Sequence, residues 1–162
     1  MISSVLWAAG AVELVGVAAE ARDAALAVGP DWPVALDAAE PVEVHGDRHR
    51  LRQVLDNLLA NVRSHTPPGT STVVSISHEG GDAIIEVADD GPGLDPEEAA
   101  KAFERFYRVD PSRSRDRGGA GLGLSIVSAI VTSHGGSVTA AAARSGGAVF
   151  TVRLPLVDQP TS

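Results

Sequence analysis

Apolar residues recur at helical spacing from Leu51 to Val62. Leu51, Val54, Leu55, Leu58 and Val62 fall within one broad arc of a helix turning about 100° per residue. Asp47 is placed to cap that helix, and Pro67-Pro68-Gly69 must end it. An earlier Ala-rich stretch, Val12–Val28, carries the same period and stops at the breakers of "GPDWP". Elsewhere the pattern changes to period two. "VALD" and "VEVH" read as short strands, and "STVVSIS" and "DAIIEVA" as a hairpin turning around Gly80-Gly81. Lys101–Phe106 reads as a helix, "DPSRSRDRGGAGLG" as a mobile loop, and Leu122–Ser133 as a helix halted by Gly135-Gly136. "SVTAAAAR" and "AVFTVRL" close the chain as strands before a polar tail. Strands and helices in this mixed order predict an α+β sandwich with helices on one face of a sheet.

Composition narrows the picture. The 162 residues are enough for one domain with one core, and an apolar fraction of 44% argues against disorder. A net charge of −8 argues against nucleic acid or an anionic membrane as a partner. The chain has no Cys, hence no disulfide framework and no thiolate metal site, which fits the cytoplasm. "ISSVLWAAGAV" is shorter than the roughly 20 residues that span a bilayer. No basic residue precedes it and Glu13 follows it, so it is expected to be a packed first helix rather than a leader.

Three stretches carry candidate chemistry. Asn57, Asn61 and His65 form a line along one flank of the Leu51 helix, at i, i+4 and i+8. Asparagine is a poor helix-interior residue, because its amide competes for backbone hydrogen bonds. An amide oxygen suits a hard cation such as Mg²⁺, although the same side chains also suit capping of nearby loops. "VADDGPGLD" places acids at a strand end before Gly91-Pro92-Gly93, where a carboxylate can accept from an exocyclic amine or simply close a turn. "GGAGLGLSIV" leads glycines into a helix start, which suits phosphate or a plain hinge. It is not a P-loop, since no Lys-Ser or Lys-Thr follows.

In order along the chain, "DNLLANVRSHTP", "DDGPG", "FERFYR" and "GAGLGLSIV" resemble the four sequence boxes of bacterial sensor histidine kinases. The resemblance runs from about Val12 to Leu156. It implies the catalytic ATP-binding domain of that family, with the two-layer α/β sandwich of the Bergerat (GHKL) ATPase fold. That fold has a mixed β-sheet with helices on one face and a flexible ATP lid. Residues 1–10 would then be an N-terminal extension or linker, 11–157 the catalytic domain with its lid over about 108–121, and 158–162 a polar tail.

By position, Asn61 resembles the principal Mg²⁺ ligand and catalytic residue, with Asn57 supporting metal and phosphates. His65 holds the place whose ring lies near adenine, and Asp89 that of the acid receiving the adenine amino group. Gly91 and Gly93 resemble the glycines that shape the base pocket. Gly119, Gly121, Leu122, Gly123 and Leu124 resemble the lid end and helix start that hold the phosphates, and Arg108 a phosphate contact. Three positions depart from the pattern. Val62 and Ser64 replace an Ala and a basic residue, leaving Arg63 or a lid arginine for the charge, and Ala148 replaces a Thr of the base pocket. Weakened ATP affinity is expected.

The family phosphorylates a His on a preceding helical hairpin, and none of His45, His49, His65, His78 or His134 has that context. The resemblance therefore implies a chain that binds ATP·Mg²⁺ and transfers the γ-phosphoryl group to a histidine on a dimerisation/phosphoacceptor domain outside it. It would be a fragment of a sensor kinase or one half of a split kinase, cytoplasmic, with a response regulator downstream. Two other readings stand beside it. One is an anti-sigma-factor-type serine kinase, against which "FERFYR" and "FTVRLP" weigh. The other is a nucleotide-binding regulatory module without transfer activity.

Overall fold

The structure, a computed structural model, describes residues 9–93, 97, 101, 120–143 and 146–157. Among these, the chain runs β1 (Ala9–Glu13), α1 (Leu14–Val28), β2 (Val34–Ala38), β3 (Glu43–Asp47) and α2 (Arg48–His65). It continues with β4 (Thr72–Glu79), β5 (Asp82–Asp89), α3 (Ala120–Ser133), β6 (Ser137–Ala142) and β7 (Ala148–Pro155). Five strands form a mixed sheet in the order β2-β4-β5-β7-β6, parallel only between β2 and β4. β1 and β3 form a separate antiparallel pair. An isolated bridge from Val44 to Leu156 links that pair to the end of β7.

One face of the sheet is dry. Val74, Ile76, Ile85, Val87, Phe150 and Val152 alternate inward and pack against the helices. The other face carries Ser75, Glu86 and Thr151, paired across three strands. This is the expected α+β, two-layer arrangement. α2 is its central helix and packs against both α1 and α3. Its predicted arc is buried, with Leu59 added. The Asp47 carboxylate caps it as expected, accepting the N–H groups of His49 and Arg50.

The start of the chain differs from expectation. The apolar run is not helical over Ala9–Glu13; those residues are β1, and α1 begins at Leu14 rather than Val12. Val12 pairs with Val44 of β3, and both are buried. Glu13 sets the boundary, because its side chain accepts the N–H groups of Val15 and Gly16 at 2.9 Å each and that of Val42 at 3.2 Å. At the other end, α3 starts at Ala120, two residues before the predicted Leu122. Most of the helix expected over Lys101–Phe106 lies outside the described residues.

Burial works to raise the Glu13 pKa, but those three backbone donors outweigh it and hold the carboxyl below its usual value. A group whose pKa is depressed by folding stabilises above its ordinary pKa, and that contribution is lost as the pH falls through the lowered value. Glu13→Ala is therefore expected to cost about 1–2 kcal/mol at neutral pH. Urea denaturation should show the gap between wild type and variant closing as the pH drops below the ordinary value of 4.5. A gap that is constant with pH would contradict the ionic cap.

Candidate functional site

The site is assembled where the C-terminal half of α2, the end of β5 and the start of α3 meet. Asn61 lies among the buried residues of α2, only 8% exposed. Among the described residues its amide oxygen, Oδ1, has no hydrogen-bond partner. An unpartnered polar atom in the interior costs free energy, about 1–3 kcal/mol, unless a ligand or water completes it. One turn earlier, Asn57 Nδ2 donates to the carbonyl of Gly123 at 3.4 Å, joining two of the sequence-predicted groups across the α2–α3 contact. One turn later, His65 Nδ1 lies 3.0 Å from the Asn61 carbonyl. A carbonyl only accepts, so Nδ1 carries a proton in this contact.

Asp89 closes β5 and is 6% exposed. Its Oδ1 accepts the N–H groups of Gly91 at 2.9 Å and Ala148 at 3.4 Å, so one carboxylate oxygen ties the β5 turn to the start of β7. The turn itself is tight. A Cβ on Gly91 would stand 2.7 Å from the Thr66 methyl, which shows how closely the end of α2 abuts it. Thr66 in turn donates to the Val62 carbonyl and accepts from Trp32 Nε1. Gly93 has φ +105°, a conformation that favours glycine.

Gly123 sits in α3, where glycine costs roughly 1 kcal/mol relative to alanine. Among the described residues no neighbour lies within 4 Å of where its Cβ would be, apart from the helix's own backbone, so packing does not demand it. Gly121 and Leu122 lie in the first turn of α3, and Leu124 is buried. Gly119, Arg108 and the lid expected over about 108–121, up to Gly119, lie outside the described residues.

Of the departing positions, Val62 is buried in the core and Ala148 is buried beside Asp89. The Arg63 stem lies against Gly29 and Trp32, on the connection between α1 and β2. Two participants were missed. Thr72, at the start of β4, has a buried hydroxyl with no partner among the described residues. A polar residue at an inward position of an otherwise apolar alternation was its signal. Gly147 is packed so closely that a Cβ there would overlap the Asp89 carbonyl oxygen. The "GG" before the last strand hinted at it.

Among the described residues, no group of three or more His, Cys, Asp or Glu side chains is placed to hold a metal ion. A cation held by neutral amide oxygen, phosphate oxygens and waters needs no such group, and Asn61 Oδ1 fits that donor set, which is the ordinary one for Mg²⁺. No helix among the described residues is long and apolar enough to cross a membrane.

Comparison with known proteins agrees with this fold. Residues 46–158 match the family model described as histidine kinase-, DNA gyrase B-, and HSP90-like ATPase. The probable sensor histidine kinase TcrY of Mycobacterium tuberculosis is 45% identical over 148 residues, 91% of this chain and 31% of that protein. BaeS, a signal transduction histidine-protein kinase of Escherichia coli, is 42% identical over 72% of this chain and 25% of its own length. The chain thus spans about a third or less of these curated relatives. Among solved structures, the mycobacterial sensor histidine kinase MprB superposes with a TM-score of 0.75 at 29% identity, covering 93% of this chain and 99% of that one. The ATP-binding domain of PrrB from Mycobacterium tuberculosis gives 0.77 at 25% identity, with 94% and 98% covered.

Proposed function

This chain belongs to the histidine kinase-, DNA gyrase B-, and HSP90-like ATPase family. On that premise we propose that it holds ATP between α2, the end of β5 and the start of α3, and passes the γ-phosphoryl group to a histidine on a separate phosphoacceptor hairpin. The observation that carries this reading is the buried, unpartnered Asn61 Oδ1, on the helix whose end abuts the Asp89 turn.

Each residue then has work to do. Asp89, fixed by two backbone N–H groups through Oδ1, accepts the exocyclic amine of adenine. Gly91 and Gly93 keep that turn flat enough for a base to approach. As a helix start, the first turn of α3, with Gly121, Leu122 and Gly123, would offer its N–H groups and a positive dipole end to the phosphates. Asn57 holds that turn against α2. His65 borders the base side, and by their place in the sequence pattern Gly119 and Arg108 would serve the phosphate side. Asn61, with Asn57 beside it, would hold Mg²⁺, which when bound offsets the charge of the phosphates.

No side chain of this site needs to act as nucleophile. Phosphoryl transfer is chiefly positioning and charge stabilisation, and the acceptor imidazole itself attacks phosphorus. The acceptor hairpin belongs to a longer kinase or a partner chain, the response regulator lies downstream, and the use of ATP fits the cytoplasm. The test is incubation with γ-labelled ATP and a His-bearing helical hairpin from a matching kinase. Label on the hairpin that acid releases and alkali does not is the expected result. Acid-stable label would overturn the reading in favour of a hydroxyl acceptor.

A further inference from the structure

Among the described residues, two buried side-chain N/O atoms lack any hydrogen-bond partner: Asn61 Oδ1 and Thr72 Oγ1. The first is used above. Thr72 is 2% exposed and faces inward from β4, in line with Val74 and Ile76. Valine there would continue the alternation and bury the same volume without stranding a hydroxyl. The core therefore gains nothing from the oxygen.

Its place in the sheet says what gains. Thr72 is the direct cross-strand partner of Asp89. The adjacent pair, Ser71 and Asp90, exchanges the backbone bond from Asp90 N–H to Ser71 C=O, and Thr72 N–H turns away to Pro33 C=O. Thr72 and Asp89 thus form a non-hydrogen-bonded pair, the kind in which side chains stand closer, about 4.5–5.5 Å between Cβ atoms. Ala148 flanks Asp89 on the other side through its N–H bond to Oδ1 and offers no hydroxyl. Thr72 is the side chain beside Asp89 with hydrogen-bonding capacity unspent.

Resting on the nucleotide reading of this site, we propose that Thr72 is a base-selecting residue: its hydroxyl donates, directly or across one water, to the purine ring nitrogen next to the amine that Asp89 receives. A carboxylate that only accepts, beside a hydroxyl free to donate, complements the amine and ring nitrogen of adenine. Guanine and hypoxanthine present a carbonyl and a ring N–H there, the reverse pattern, which leaves the carboxylate facing an oxygen.

Calorimetric titration of the full chain with ADP, and with 1-deaza-ADP in which that nitrogen is C–H, tests the assignment. Thr72→Val is expected to weaken ADP by about 3–10-fold, the worth of one hydrogen bond. Thr72→Ser should bind as wild type does, and 1-deaza-ADP should not distinguish wild type from Thr72→Val. The Thr72→Val chain should unfold at the same temperature or higher, which a structural hydroxyl would not allow. Equal ADP affinity in wild type and Thr72→Val, or an equal loss with 1-deaza-ADP, overturns the proposal while leaving the nucleotide site intact. A wild-type chain that binds neither nucleotide would overturn both.

Discussion

Gly147→Ala is expected to destabilise the chain by about 2–3 kcal/mol and to weaken adenine-nucleotide binding by more than tenfold. The reason is backbone meeting backbone. A Cβ at 147 would overlap the carbonyl of Asp89 and stand 2.9 Å from its Oδ1. No rotamer change relieves such a clash, so the end of β5 and the start of β7 must separate. That movement breaks the Ala148 N–H bond that orients the Asp89 carboxylate. It also strains the ladder at its last rung, Ala88 with Val149. Gly146→Ala is the matched control. Its φ of +102° disfavours a side chain, but among the described residues no atom lies within 4 Å of the added Cβ. It should cost only about 1–2 kcal/mol and leave nucleotide affinity nearly unchanged. Thermal unfolding and nucleotide titration of both variants check the contrast. Equal effects would mean that the close approach at Asp89 is not what the glycine serves.

Asn61→Ala is expected to leave stability nearly unchanged. Removing a buried amide whose oxygen has no partner relieves a standing cost and leaves a small void, so the net change should stay within about 1 kcal/mol of zero. Binding should suffer heavily, with ATP affinity in Mg²⁺ falling at least tenfold, to the level seen with metal chelated. This separation of stability from binding distinguishes a ligand-directed residue from a structural one. Asn57→Ala should be milder, because Asn57 only supports the metal position that Asn61 leads, and its bond to the Gly123 carbonyl is long, 3.4 Å.

Much of this was legible where a local pattern coincided with its structural cause. α2 declared itself by its apolar arc and by Asp47 at its cap. The β4–β5 hairpin did so by alternation around Gly80 and Gly81, both with positive φ. β1 was not legible, because "AGAVE" has one β-branched residue and becomes a strand through its pairing with β3, over thirty positions away. Asn61 and Asp89 could be picked from residue type and spacing. Thr72 and Gly147 left only faint local signals, because what singles them out is proximity to Asp89 across strand pairings that no local window contains. The same holds for Thr66, whose tie to Trp32 spans 34 positions.

The most direct measurement is a calorimetric titration of the wild-type chain with ATP, once with Mg²⁺ and once with chelator, repeated with GTP. A site built from Asp89 and Asn61 predicts ATP binding that is at least tenfold tighter with Mg²⁺ and at least tenfold tighter than GTP. Metal-independent affinity, or equal affinity for the two bases, would contradict it.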